Sequence, residues 1–170
     1  MNCYRSPRFP FYLALAVGIG LTCGGALLAF TLRIAACPLC IVQRMLYLSI
    51  GLCGIVGLLF GQGRGIRAAL LALMSAAAGT GVFVAGFQTW LQHFARFASC
   101  ATDYPWWEAL VDWAGERVPF LFHASGSCSD PAWKLLGLSI AEWSLGVFSV
   151  LLGVFVYALF KTLAKPAVSS

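Results

Sequence analysis

Charged residues are scarce in this chain of 170 residues. They make up 10 % of it, whereas soluble domains carry roughly a quarter. Only six residues are acidic, and none of them precedes Asp103. Hydrophobic residues make up 61 % of the chain. This composition excludes an ordinary soluble domain and predicts a protein of the lipid bilayer.

Four apolar runs can cross a bilayer as helices. The first, 11–32, contains no charge and would extend over about 33 Å at about 1.5 Å per residue. The second is long enough only if its helix begins near Pro38, which places Arg44 inside it. We predict an all-α membrane protein, a four-helix transmembrane bundle with a long outer loop, 92–142, that carries short helices. This single integral membrane domain, 1–170, has predicted spans at 11–32, 40–60, 68–91 and 143–160.

The formal net charge of +5 comes from basic residues that mostly stand near the ends of the apolar runs, which disfavours a nucleic-acid-binding surface. Four spans place both termini on one side of the membrane. This side collects six basic residues and no acidic one: Arg5, Arg8, Arg64, Arg67, Lys161 and Lys165. All six acidic residues fall in the third connection. The positive-inside rule therefore predicts cytoplasmic termini, with the Cys37 turn and the 92–142 loop facing outward.

Glycines are frequent in the first two spans. Small residues let membrane helices approach closely, so these glycines predict tight helix packing. They are Gly18, Gly20, Gly24, Gly25, Gly51, Gly54 and Gly57.

The outer loop contains signals for two short helices. One is predicted to begin at Pro105. It carries an apolar face with Trp106, Leu110 and Trp113, and an acidic face with Glu108, Asp112 and Glu116. Such a helix would lie on the membrane or face a protein partner. The second is predicted from a cap at Ser129 to near Gly137.

Seven cysteines are present, and the predicted topology sorts them. Cys3 lies in the cytoplasmic head, and Cys23 and Cys53 lie inside spans, where a thiol behaves as a small hydrophobe. The other four face outward, where disulfides persist. They are Cys37, Cys40, Cys100 and Cys128. Their spacing leaves the pairing open.

The Cys37-Pro-Leu-Cys40 stretch indicates redox chemistry, because a disulfide across two residues would close almost no loop. If Pro38 is the first helical residue, Cys37 is the N-cap and Cys40 lies in the first turn. Helix N-termini favour anions and lower thiol pKa values. Arg44 lies one turn deeper, inside a span, where a charge is a functional hypothesis. The alternative for Arg44 is snorkelling to the outer headgroups.

Two other uses of these cysteines are disfavoured. A lipoprotein signal ending at Cys37 would have too long an apolar run, and three more spans follow it. A zinc site would be expected to use a second short-spaced pair, whereas Cys100 and Cys128 stand far apart. No metal site is predicted.

The chain resembles the DsbB family, the quinone-linked disulfide bond formation proteins of the bacterial inner membrane. The resemblance covers nearly the whole chain. Its motifs are Cys37-x-x-Cys40 with Arg44, Trp90-Leu-Gln before Cys100, the 124–128 segment, Trp133, and Leu136-Gly-Leu leading to Trp143.

The resemblance implies a protein dithiol:quinone oxidoreductase whose outer loop is periplasmic. A DsbA-like periplasmic oxidase would pass electrons to the disulfide Cys100–Cys128, attacking at Cys100, and these would move to Cys37–Cys40 through exchange between Cys128 and Cys37. They would end on ubiquinone or menaquinone, held without a covalent bond near the Cys40 thiolate and Arg44.

One position departs from the family pattern. Members often have a histidine, near the quinone, two residues before the Trp-Leu-Gln motif, where this chain has Gln88. Glutamine can donate a hydrogen bond but cannot take a charge near neutral pH. Two alternatives remain open. A vitamin K epoxide reductase-like protein would carry its loop cysteines before the C-x-x-C, and a membrane scaffold would use both disulfides structurally.

Overall fold

The computed structural model describes residues 8–33, 36–61, 63–94, 106–122, 126, 128 and 133–164. Four helices in this part of the chain are long and apolar enough to cross a membrane. They are α1 (Phe9–Thr31), α2 (Pro38–Phe60), α3 (Arg64–Phe94) and α6 (Ile140–Ala164). Between α3 and α6 lie α4 (Trp106–Arg117), α5 (Pro119–Phe122), β1 (Lys134–Leu135) and β2 (Leu138–Ser139). The prediction of an all-α membrane bundle is confirmed.

The bundle consists of two helix pairs, α1 packed on α2 and α3 packed on α6. Contacts between α2 and α3 hold the two pairs together. Its core lies where the pairs meet, and there the rings of Tyr47 and Phe148 stack with centroids 4.1 Å apart. By contrast, α1 and α6 make few contacts with each other. This loose seam between the first and last helices leaves room for the cavity described below.

Close packing of α1 on α2 depends on glycine. A Cβ on Gly18 would lie 2.5 Å from the carbonyl oxygen of Tyr47, and one on Gly54 would lie 2.8 Å from that of Phe11. Either side chain would push the helices apart. The packing prediction is confirmed for these two glycines. It is wrong for Gly20, where an added Cβ would have no neighbour within 4 Å.

Helix α4 lies where the sequence predicts a helix, although Pro105 is outside the described residues. The sequence predicts an apolar and an acidic face for this helix but not which residues pack on the protein. Val111 and Glu108 are buried, whereas Leu110 and Trp113 are 48 % and 55 % exposed. The carboxylate-bearing residue Glu108 therefore belongs to the face that packs on the protein, and the Leu110–Trp113 face is left open.

The predicted second short helix of the outer loop is wrong. Its proposed start lies outside the described residues, and its proposed end is a hairpin of β1 and β2 in which Lys134 pairs with Ser139. Leu136 and Gly137 make the turn with φ of 54° and 85°. Two consecutive positive φ values are typical of a tight hairpin turn, which favours glycine. Gly137 thus serves a turn rather than a helix end.

Helix α6 begins at Ile140 because Ser139 and Glu142 cap it reciprocally. The backbone N–H of Ser139 donates to Glu142 Oε2 at 2.6 Å, and the backbone N–H of Glu142 donates to Ser139 Oγ at 3.3 Å. Glu142 Oε1 also lies 3.0 Å from His93 Nε2 at the end of α3. Trp143 Nε1 donates to the Leu135 carbonyl at 3.1 Å. These bonds fix the hairpin over one end of the bundle.

Candidate redox site

Cys37 is the N-cap of α2, as the sequence predicts. Its backbone is extended, with φ −83° and ψ 158°, and Pro38 follows as the first helical residue. Proline is favoured there because its fixed φ suits the helix and because an N–H at the first helical position would have no acceptor within the helix. The backbone N–H of Cys40 donates to Cys37 Sγ at 3.3 Å, and the two sulfur atoms lie 2.7 Å apart. The N-cap position of Cys37 therefore places its sulfur next to that of Cys40 in the first turn of α2.

Cys128 arrives at this pair from a distant part of the chain. It is fully buried, and it packs against Cys37 together with Leu39 and Leu91. Three cysteines, Cys37, Cys40 and Cys128, thus share one cluster. Cys100, the fourth predicted site residue, lies outside the described residues. The structure brings the first three together and does not describe the predicted Cys100–Cys128 pair.

The cluster changes the acidity of Cys37. Hydrogen bonds with Cys128 and Cys40, followed by burial, raise the pKa of the Cys37 thiol far above its ordinary value. The expectation from the helix N-terminus, a lowered pKa, is therefore wrong for Cys37. The Cys37 thiol therefore holds its proton more firmly than a free cysteine does.

Gln88 lies directly at the two sulfurs. Its Nε2 donates to Cys37 Sγ at 3.1 Å and to Cys40 Sγ at 3.2 Å. Its Oε1 accepts a hydrogen bond from Gln43 Nε2 at 2.7 Å. Sequence reasoning missed Gln43, although a polar side chain inside a span, next to Arg44, is a usable signal.

Arg44 bonds to backbone carbonyls of two other helices. Its Nη1 donates to the carbonyl of Leu121 at 3.0 Å, and its Nη2 donates to that of Gly25 at 2.9 Å. The side chain therefore connects α1, α2 and α5.

A cavity of about 400 Å³ adjoins the cysteines, on the seam between α1 and α6. Its wall is mostly apolar, with Leu28 from α1 and Val147 from α6. The polar or reactive groups on the wall include Cys37, Cys40, Gln43, Arg44, Gln88 and Gln92. Gly24 and Gly25 also line it, so these two glycines make space rather than pack helices.

Buried sulfurs that can exchange disulfides, set in the end of a membrane bundle beside an apolar cavity, define a membrane-embedded thiol–disulfide oxidoreductase. Comparison with known proteins identifies the family within this class. Residues 7–158 match the model of the family described as disulfide bond formation protein DsbB.

Individual relatives agree with the family match. The chain is 40 % identical to disulfide bond formation protein B of Dechloromonas aromatica, over 97 % of this chain and 98 % of that protein. It is 39 % identical to disulfide bond formation protein B of Aromatoleum aromaticum, over 82 % of this chain and 84 % of that protein. Disulfide bond formation protein B 1 of Pseudomonas aeruginosa is 32 % identical, over 87 % and 91 % of the two chains.

The chain belongs to the DsbB family. It is a multi-pass membrane protein and a disulfide-forming oxidoreductase, and the resemblance that the sequence motifs indicate is confirmed.

Proposed function

We propose that this protein reoxidises a DsbA-like periplasmic thiol oxidase and passes the electrons through two disulfides to a membrane quinone. The observation that carries the proposal is the packing of Cys128 against Cys37, beside the apolar cavity. Cys128 lies 88 residues beyond Cys40 in the chain, so their meeting requires the folded bundle. Contact between cysteines from two separate segments is what disulfide exchange between two pairs needs.

The first exchange takes place at the loop disulfide Cys100–Cys128. A thiolate of the reduced partner attacks Cys100 Sγ, forming a mixed disulfide and releasing Cys128 as a thiolate. Cys128 then attacks Cys37, forming a Cys37–Cys128 bond and releasing Cys40 as a thiolate. The buried contact of Cys128 with Cys37 holds the attacking and attacked sulfurs together.

A second exchange returns the loop pair to its oxidised state. The partner's other thiolate displaces Cys100, which completes the partner's disulfide. Cys100 attacks Cys128, re-forms the loop disulfide and releases Cys37, which takes up a proton. The net change is one disulfide gained by the partner and two electrons left on Cys37 and Cys40.

The cavity fits a quinone on three observations. Its volume of about 400 Å³ suits a small ring. Its mostly apolar wall lies on the seam between two membrane-spanning helices, where an isoprenoid tail can remain in lipid. Arg44 would supply N–H donors for ring oxygens, and Gln88 lines the wall beside the two sulfurs. A quinone bound there supplies a two-electron, two-proton acceptor, and Cys37 and Cys40 return to a disulfide when their electrons leave.

The orientation follows from the charges of the connections. We place both termini in the cytoplasm and the cysteine cluster at the periplasmic face of the inner membrane, because basic residues collect on the side of the termini. The partner oxidase then reaches Cys100 from the periplasm. The seam between α1 and α6 would admit a quinone to the cavity from the bilayer.

The test is quinone reduction by the purified full-length protein in detergent with a reduced DsbA-like oxidase. Quinone absorbance is followed with ubiquinone and with menaquinone. We expect turnover in the native protein and loss of at least about a hundredfold in Cys100→Ser and Cys128→Ser. Cys23→Ser is the matched control, since Cys23 is an exposed thiol on the membrane-spanning part of α1, and it keeps turnover.

Two results would contradict the proposal. Full turnover by Cys100→Ser would show that electrons do not pass through the loop pair. Cysteines that stay oxidised in the presence of reduced partner, when quinone is withheld, would make the disulfides structural.

A further inference from the structure

The buried amide pair Gln43–Gln88 lies outside the exchange steps described above, and it contacts the sulfurs that those steps use. Gln43 is 3 % exposed and Gln88 is 2 % exposed. Gln43 stands on α2 and Gln88 on α3, so the 2.7 Å bond between them crosses a helix interface. Burying two amides is costly unless they form hydrogen bonds, and here one such bond joins them.

The direction of this bond determines what Gln88 presents to the cysteines. Because Gln43 Nε2 donates to Gln88 Oε1, the amide group of Gln88 must turn its NH₂ away from Gln43. That NH₂ is 3.1 Å from Cys37 Sγ and 3.2 Å from Cys40 Sγ. An amide NH₂ has two N–H donors, one for each sulfur. A flipped Gln88 would instead turn its carbonyl oxygen, an acceptor, toward the sulfurs, which offer at most a weak S–H donor.

The redox state of the pair changes how strongly these N–H groups bind. A sulfur in a disulfide is a weak acceptor. Reduction by two electrons and one proton breaks the S–S bond and leaves one thiol and one thiolate. The thiolate carries a full negative charge, and hydrogen bonds to charged acceptors are roughly twice as strong as neutral ones. Donation by Gln88 therefore stabilises the reduced pair more than the oxidised pair.

We propose that Gln88 raises the reduction potential of the Cys37–Cys40 pair by donating to both sulfurs, and that Gln43 is a positioning residue that holds Gln88 in the donating orientation. The inference rests on the proposed function, because it assigns the two glutamines to the redox pair of that function. A neutral amide does this at any pH near neutrality, since it does not titrate. The Cys37–Cys40 disulfide thus becomes a better acceptor of electrons from the loop cysteines.

The test is the redox equilibrium of the full-length protein with glutathione, without quinone and without oxygen. Two glutathione thiols become glutathione disulfide while Cys37–Cys40 becomes one thiol and one thiolate, with release of one proton. After acid quenching and alkylation, mass spectrometry of the peptide that carries Cys37 and Cys40 gives the reduced fraction. We expect Gln88→Leu to lower the equilibrium constant for reduction about tenfold, because a hydrogen bond to a charged group is lost. Gln43→Leu should lower it about threefold.

The double variant distinguishes positioning from general packing. If Gln43 acts through Gln88, Gln43→Leu has no further effect in the Gln88→Leu protein, and the two substitutions are not additive. The matched control is Gln92→Leu. Gln92 lies one turn farther along α3 on the same cavity wall, and its removal leaves the Gln43–Gln88 bond in place.

The outcomes separate this inference from the proposed function. Equal effects of Gln43→Leu in both backgrounds would overturn the positioning role, and an unchanged constant in Gln88→Leu would overturn the donor role. A native pair that glutathione cannot reduce reversibly would contradict the proposed function itself. Any variant whose thermal unfolding temperature falls is replaced by Gln43→Met or Gln88→Met, which keep side-chain length without an amide.

Discussion

The backbone N–H of Gly126 donates a 2.9 Å hydrogen bond to the carbonyl of Ala36. Ala36 directly precedes Cys37, and Gly126 stands two residues before Cys128. This one backbone bond therefore joins the two segments whose cysteines pack together. It gives a local reason why a distant loop delivers Cys128 to the N-terminus of α2.

Removing that bond should slow the exchange between the two cysteine pairs. Proline at position 126 has no N–H, so Gly126→Pro loses the donor. A backbone hydrogen bond contributes about 1 kcal/mol, and we expect about a fivefold slower appearance of reduced Cys37 and Cys40 after mixing with reduced partner. Rapid quenching and alkylation measure it. Gly126→Ala, which keeps the N–H, is the comparison, and equal slowing in both variants would show that the bond itself is unimportant.

Arg44 is expected to affect both stability and quinone use. Arg44→Ala loses two charge-assisted bonds to backbone carbonyls, on Gly25 and Leu121, each worth about 1.5–3 kcal/mol. We expect a lower thermal unfolding temperature and about a tenfold higher KM for quinone. Arg44→Lys keeps the charge but cannot bridge both carbonyls. Its unfolding temperature and its KM for quinone should therefore lie between those of the native protein and Arg44→Ala. An Arg44→Ala protein with native stability and native KM would assign no role to these bonds.

Side chains added at Gly24 should obstruct the cavity selectively. Gly24 lines the cavity, and an added Cβ there would have no neighbour within 4 Å, so Gly24→Val has room to project into it. We expect quinone KM to rise about tenfold while the transfer of electrons from the partner to Cys37 and Cys40 stays within about twofold. Gly20→Val, one turn away on the same helix, is the control. Equal KM values in the two variants would place the quinone elsewhere.

Packing of α1 on α2 should respond sharply to one methyl group. In Gly18→Ala the new Cβ would lie 2.5 Å from the Tyr47 carbonyl oxygen and 2.7 Å from Gly51 N. Overpacking of this kind costs about 1–3 kcal/mol. In Gly20→Ala the Cβ meets nothing, and alanine favours a helix by about 0.5–1 kcal/mol over glycine. Thermal unfolding in one detergent compares them, and a Gly18→Ala protein as stable as Gly20→Ala contradicts the close approach.

The fold class was predictable because membrane spans are a property of composition and length. A helix is the simplest structure that satisfies its own backbone in lipid, so a long apolar run indicates it without knowledge of neighbours. Errors arose in the polar connection. A cap at Ser129 and a stop at Gly137 fit a short helix, but a glycine with positive φ fits a hairpin turn equally well. In the structure Lys134 pairs with Ser139, so this segment is a hairpin.

By itself, the sequence determined that the chain crosses a membrane and that Cys37 caps a helix one turn before Cys40, since both depend on neighbours along the chain. Only the tertiary structure decided which side chains surround those sulfurs. Gln43 and Gln88 lie 45 positions apart, and Cys128 comes from another segment altogether. Contacts between elements depend on which helix faces meet, and this follows from the packing of the whole bundle rather than from any local pattern.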